Sequence, residues 1–220
     1  MAADSILFSE EERDILQEIM NIAFGNATAE LADLIDIQVI LSIPDVKIID
    51  FQSLPDYLGE AINHGSKNSV TGQKFWGDFS GSGLLFLPVG TERVLSKFLN
   101  VSSLDGGENT PDEDTLPPET LKCGLLLEIS NILVGACVGK ISDLLNTSVS
   151  YTPPELLTID SSDYQFLLKH FNADQAAIVM KTLFQFEQQD INGLLLVMTN
   201  HDSVKWLKNA LHEFINAYEG

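Results

Sequence analysis

The chain has 220 residues, of which 12 are basic and 32 acidic, for a formal charge of −20. So few cations argue against nucleic acid, whose phosphates are held by Lys and Arg, and against anionic membrane surfaces. With 45% hydrophobic residues the chain has the apolar content of a globular protein, so the acidity belongs to a surface and not to a disordered segment.

By length the chain could hold one domain or two. Residues 1–12 are few and turn acidic, unlike a signal peptide. No segment reads as apolar for long enough to span a bilayer. Ser9 followed by Glu12 is a capping-box start. A helical pattern runs from there to about Leu34, with Ile15, Ile19, Ile22 and Ala23 at helical spacing beside Leu16, Ala27 and Leu31. Gln38 to Ile43 reads as a strand ending at Pro44, and Val46 to Phe51 as a candidate second. Ser53 to Asn68 is turn-rich, with room for one helical turn.

Ser69 to Phe79 and Leu84 to Pro88 flank Ser80-Gly81-Ser82-Gly83, which predicts a hairpin turning on those four residues. Thr91 to Leu99 reads as a short helix. Asp105 to Glu119 holds six acids, no basic residue, three prolines and two glycines, the composition of a solvated linker. Pro118 suits the first turn of a second long helix, which runs to about Leu145. Ser148 to Thr152 reads as a strand ending at Pro153-Pro154, and Asp163 to His170 as helical. Gln175 to Phe186 and Gly193 to Thr199 form a second hairpin around Gln188-Gln189-Asp190, and Asp202 to Tyr218 is a final helix. Cys123 and Cys137 lie on one predicted helix, so they stand about 21 Å apart and cannot pair. Core thiols in a reducing, cytoplasmic setting are expected.

The chain repeats itself. Asp14, Glu18, Asn21, Gly25 and Pro44 are each followed 110 residues later by Gly124, Glu128, Asn131, Gly135 and Pro154. The same offset carries Leu16, Ile19 and Ile22 onto Leu126, Ile129 and Ile132, and Gly83-Leu84-Leu85 onto Gly193-Leu194-Leu195. A period this long is not a solenoid. It reads as one duplicated unit: a first repeat over 1–104, an acidic linker over 105–119 and a second repeat over 120–220, packed as a pseudo-symmetric pair within one domain of residues 1–220.

At 100° per residue, Asp14, Glu18, Asn21, Gly25 and Thr28 fall within about 80° of one another on a polar stripe, away from the isoleucines. A glycine inside a helix costs about 1 kcal/mol against Ala, so Gly25 needs a reason. A bare backbone beside Asn21 lets another surface approach closely. One copy alone would read as a solvated helix face with a packing glycine. Two copies in one frame, each followed by Pro at the same distance, favour a functional stripe.

The pattern (Asp or Ser)-x3-Glu-x2-Asn-x22-Pro resembles that of the CheC, CheX and FliY phosphatases of chemotaxis. Asp14, Glu18, Asn21 and Pro44 match it in full; the second copy keeps Glu128, Asn131 and Pro154 but has Gly124 at the leading acid. The run Asn21 to Ala27 is similar to the family's Asn-Ile-Gly-x-Gly-Asn, with Ala23 for the first Gly. Two sites in one chain look like CheC and not CheX, and no further C-terminal domain of the FliY kind is expected.

The resemblance implies an α+β fold in which two long helices pack on one antiparallel sheet shared by both repeats. It implies a cytoplasmic protein phosphatase acting on the aspartyl phosphate of a CheY-type receiver, with Mg²⁺ in the receiver and no cofactor of the chain's own. An Asn side chain offers one acceptor oxygen and two donor hydrogens, enough to hold a water in line with phosphorus. That role falls to Asn21 and Asn131. Glu18 and Glu128 would pair with the receiver's active-site Lys. Asp14 would add a rim contact that Gly124 lacks, Gly25 and Gly135 would let the receiver approach, and Pro44 and Pro154 would shape the strand ends. No group of this chain need change its protonation state.

Other chemistries fit less well. His64, His170, His201 and His212 are scattered and lack metal-ligand spacing. There is no phosphate-cradling Gly-Lys-Ser/Thr loop. Asp14 and Glu18 on an open helix face lack the cleft of a two-carboxylate hydrolase. The rival from another class is a binding module that holds a phosphorylated receiver, or the deamidase CheD, without hydrolysis. Intact Asn21 and Asn131 favour catalysis. The charge of −20 sets a condition on either reading: the partner presents a basic rim to Glu18 and Glu128, or association is slow and salt-sensitive. The duplication removes the need for a homodimer without forbidding one.

Overall fold

The computed structural model describes residues 8–35, 39–42, 45–49, 53–61, 68–95, 118–157, 177–186, 191–199 and 201–219. Pro44, the linker over 105–117, the predicted helix over 163–170 and the second hairpin's turn over 187–190 lie outside them.

Helix α1 covers Glu10–Ile35. It begins as the sequence reading expects: the Ser9 backbone N–H donates to Glu12 Oε2 at 2.7 Å, and the Glu12 N–H donates to Ser9 Oγ at 3.0 Å. Three acids in its first turn favour the positive end of the helix dipole. Strands β1 (Val39–Leu41) and β2 (Asp45–Ile49) follow, then helix α2 (Leu54–Ala61). Next come the hairpin β3 (Asn68–Gly77) and β4 (Gly81–Pro88) and the short helix α3 (Thr91–Leu95). The second half begins with helix α4 (Pro118–Leu144). It ends in a Schellman turn: Asn146 takes φ 51°, its N–H donates to Asp143 O, and the Thr147 N–H donates to Ser142 O. Strands β5 (Val149–Tyr151), β6 (Glu155–Leu157), β7 (Ala177–Phe186) and β8 (Ile191–Thr199) and helix α5 (His201–Glu219) complete it. The three-residue strand β6 is one that the sequence reading missed.

All eight strands form one antiparallel sheet in the order β1-β7-β8-β4-β3-β5, with β2 also on β7 and β6 also on β3. The halves interlock. β1 of the first half pairs with β7 of the second, and β5 of the second with β3 of the first. At the centre Leu85 pairs with Leu195, its own counterpart at an offset of 110 residues, and Leu84↔Leu196 is mirrored by Phe86↔Leu194.

The central strands are apolar on both sides because both sheet faces are covered. Phe75, Leu85, Leu87, Met180, Leu195 and Val197 share a core with α1, α4 and α5. Val70, Leu84, Phe86, Leu194, Leu196 and Met198 share a second core with Ile49 and with Leu54 of α2. A strand buried on both faces reads as a continuous apolar run, and this is why β4 and β8 lack alternation.

Two sequence expectations need correction. The first hairpin turns at Asp78-Phe79-Ser80, and Gly81, Ser82 and Gly83 are already in β4. The Ser80 N–H donates to Ser203 Oγ at 2.8 Å and Ser203 Oγ donates back to Ser80 O, so the turn is tied to the start of α5. Phe79 stacks on Trp206 at 5.4 Å and meets Phe75 edge-on. The glycines there serve close approach and not turning: a Cβ on Gly81 would strike Met198 O, and one on Gly83 would lie 2.6 Å from both Val134 methyls. Secondly, α4 does contain a stretch, Cys123–Leu144, long and apolar enough to cross a membrane. Its apolarity has a local cause, since Leu126, Ile129, Leu133, Val134 and Val138 are buried in the helix-side core.

Candidate functional site

Both long helices bury one side and expose a polar stripe on the other. On α1, Leu16, Ile19, Met20, Ala23 and Phe24 are buried, while Asp14, Glu18, Asn21 and Gly25 are exposed. On α4, Leu125, Leu126, Ile129 and Leu133 are buried, while Gly124, Glu128 and Asn131 are exposed and Gly135 is half-buried. The helical spacing that groups these residues in sequence therefore groups them in space. Ile22 departs from the expected apolar face: it is 44% exposed and borders Asn21, whereas its counterpart Ile132 is half-buried against the core.

Neither helix glycine is there to make room for a neighbour. A Cβ built on Gly25 or on Gly135 meets nothing within 4 Å. Thr28 sits one turn beyond Gly25, its Oγ1 within 3.0 Å of Phe24 O and 2.9 Å of Gly25 O, so even this nearby hydroxyl is bound to the helix itself. Gly25→Ala is accordingly expected to stabilise the protein by up to about 1 kcal/mol, since it adds helix propensity without a clash. Urea titration measures this, and a lower midpoint with unchanged slope would show that the glycine serves the fold.

The two sites differ in their surroundings. In the second, Gln73 of β3, buried at 3% exposure, donates from Nε2 to Asn131 Oδ1 at 3.0 Å and to the Thr152 carbonyl at 3.0 Å. Sequence reading missed Gln73. Its one signal was a lone carboxamide at the alternate positions shared with Thr71 and Phe75, and only the packing of α4 on β3 carries it to the site. In the first, no hydrogen bond reaches the Asn21 side chain among the described residues. Pro154 is half-buried between β5 and β6. Among the described residues no hydrogen bond or ion pair joins the two stripes, and no group of His, Cys, Asp and Glu could hold a metal. Both cysteines are free thiols; Cys137 is fully buried, and burial pushes its thiol well above the usual range.

Tyr151 backs the second helix, its hydroxyl donating to Gly135 O at 3.5 Å. Burial first, then the charges of Asp143 and Cys137, raise its phenol from 10.0 to about 12. The folded state thus favours the neutral phenol. That contribution is complete below pH 10 and is lost as pH rises toward 12. Tyr151→Phe should flatten the fall in urea midpoint over this window, and an unchanged alkaline slope would contradict the assignment.

The CheC-like family model matches residues 11–48, the stretch that holds Asp14 to Pro44. The chain is 25% identical over 207 residues to the CheY-P phosphatase CheC of Bacillus subtilis (strain 168), covering 92% of this chain and 94% of that one. It is 24% identical over 155 residues to the flagellar motor switch phosphatase FliY of the same organism, covering 70% of this chain and 38% of FliY. The solved structure of Thermotoga maritima FliY shares the fold at a TM-score of 0.67 and 19% identity, covering 94% of this chain and 99% of that one. In signature over residues 11–48, in sequence at 25% identity over 92% of its length, and in fold, the chain is similar to CheC and FliY.

Proposed function

We propose that this protein hydrolyses the aspartyl phosphate of a CheY-type receiver by presenting a Glu/Asn helix face to the receiver's active site. The observation that carries the reading is the exposed pair of side chains, shown twice: Glu18 and Asn21 on α1, beside exposed Gly25, and Glu128 and Asn131 on α4, beside half-buried Gly135, with nothing within 4 Å of a Cβ built on either glycine. The relatives' names support it, since both are phosphatases and one is named for CheY-P. The chain is one domain built from two repeats, 1–104 and 120–220, joined by an acidic linker. The Leu85↔Leu195 pair supports this, because it places two residues 110 apart opposite each other at the sheet centre.

An acyl phosphate needs an in-line water and neutralised charge more than covalent help. The receiver brings Mg²⁺ and a Lys. Glu18 and Glu128 pair with that Lys and fix the docking, while Gly25 and Gly135 let the receiver's loops approach the helix backbone. Asn21 and Asn131 then hold the water, accepting a hydrogen bond from it on Oδ1 and offering Nδ2–H donors to an oxygen opposite. Asp14 adds a rim contact at the first site only, and exposed Ile22 adds apolar contact beside Asn21. Pro44 and Pro154 shape the chain beside each helix and carry no chemistry. The setting is cytoplasmic, where receivers are phosphorylated. The same faces suit a non-catalytic module for a receiver or for CheD, so the test must read hydrolysis. Receivers of the same genome, phosphorylated and loaded with Mg²⁺, should lose phosphate faster when the protein is added. Binding without faster loss would make it a docking module.

A further inference from the structure

The hydrogen bond that enters the second stripe from below sets that site apart. A carbonyl only accepts, so the Gln73 atom facing Thr152 O must be the amide Nε2. Its second hydrogen then points at Asn131, and the Asn131 atom that receives it must be Oδ1, at 3.0 Å. The network thus decides the orientation of an exposed carboxamide: oxygen inward to Gln73, Nδ2 outward, one Oδ1 lone pair still free. Holding it has a cost, because Gln73 Oε1 is buried and has no partner among the described residues. An apolar side chain of similar volume would fill the same space without an orphaned acceptor, so packing does not account for a glutamine here.

Among the described residues, the first site contains the same backbone frame without this device. Ser42 and Thr152 lie 110 residues apart. The Thr152 N–H donates to Lys74 O and Thr152 Oγ1 accepts from the Lys74 N–H; the Ser42 N–H donates to Leu183 O and Ser42 Oγ accepts from the Leu183 N–H. The residue before Lys74 is Gln73, which donates to Thr152 O; the residue before Leu183 is Thr182, which donates to Ser42 O at 2.9 Å. Against the neighbouring edge strand, Thr182 therefore takes the place of Gln73, and both are buried. Its side chain is two atoms shorter and ends at that carbonyl.

We propose that Gln73 is a positioning residue that pins Asn131 and makes the second site the faster of the two, although it lacks the leading acid. The inference rests on the phosphatase reading and adds which site turns over faster and why. A side chain already held in one rotamer and one amide orientation loses less freedom when it captures water, and this shows in turnover and not in docking. Asp14 leaves the first site its advantage in binding.

The test uses the full chain in two backgrounds: Asn21→Ala, with only the second site, and Asn131→Ala, with only the first. The substrate is a Mg²⁺-loaded phosphorylated receiver that the unmodified protein dephosphorylates. We expect the second-site protein to have the higher kcat. Adding Gln73→Met should lower its kcat about tenfold with KM within about twofold. The Asn131 side-chain amide, a pair of dispersed ¹H–¹⁵N resonances in the Asn21→Ala protein, should collapse to solvent-like shifts with Gln73→Met. An equal fall in the first-site protein would make Gln73 merely structural, and a second-site protein that is inactive or slower would overturn the ranking. If no receiver loses phosphate even with the unmodified protein, the functional reading fails; the amide resonances still decide whether Gln73 holds Asn131.

Discussion

The double change Asn21→Ala, Asn131→Ala should abolish the acceleration of receiver dephosphorylation and leave the receiver bound. Both side chains are exposed, and neither fills the core. At Asn21 Ala is the better helix former and should cost the fold nothing measurable; at Asn131 it leaves one buried Gln73 Nε2–H without its acceptor, a cost of about 1–3 kcal/mol that a urea midpoint reads. Removing one positioned group from a charge-stabilising site costs about 10²–10³ in kcat, and here the group is lost from both sites at once. Docking should persist because Glu18, Glu128 and the open backbone at Gly25 and Gly135 remain. The measurements are phosphate loss in single-turnover assays and receiver affinity by titration. Retained acceleration would mean that the water is held by something other than these two residues. Joint loss of affinity and rate would mean that Asn21 and Asn131 serve recognition.

Period and frame made much of this site legible before any coordinates. A 110-residue offset placed both stripes, and helical spacing put Asp14, Glu18, Asn21 and Gly25 on one exposed face, where the structure has them. The capping box at Ser9 and Glu12 could be named from two letters because both partners lie within one turn. Long-range pairing is what sequence hides. Gln73 reaches the site only because α4 of one half packs on β3 of the other, a crossing that no local pattern announces. The Ser80-Gly81-Ser82-Gly83 run misled for a related reason. A glycine that admits a neighbouring helix looks the same in sequence as one that turns the chain. Ile22 misled because spacing tells which residues share a face but not how wide the buried face is.

Gly83→Ala should destabilise the protein by about 1–3 kcal/mol, the range for forcing extra volume into a packed core. The added Cβ would lie 2.6 Å from both Val134 methyls and 3.2 Å from its Cβ. Valine in a helix is confined to one χ1 rotamer, so its methyls cannot swing aside. α4 itself must lift from β4. Asn131 lies one turn before Val134 on that helix, so a shift that relieves the clash also moves Asn131 against Gln73. The second site should therefore lose more activity than the first, linking a packing defect in the sheet to chemistry on the adjoining stripe of the helix. Val134→Ala removes the methyls that clash and opens a small cavity of its own. The pair should accordingly be less destabilising than the sum of the two single changes. Urea midpoints for the four proteins close that cycle. Strict additivity would mean that Gly83 and Val134 do not set the distance between α4 and the sheet. A compensated pair with the second site's activity restored would show that this close approach is what holds Asn131 in place.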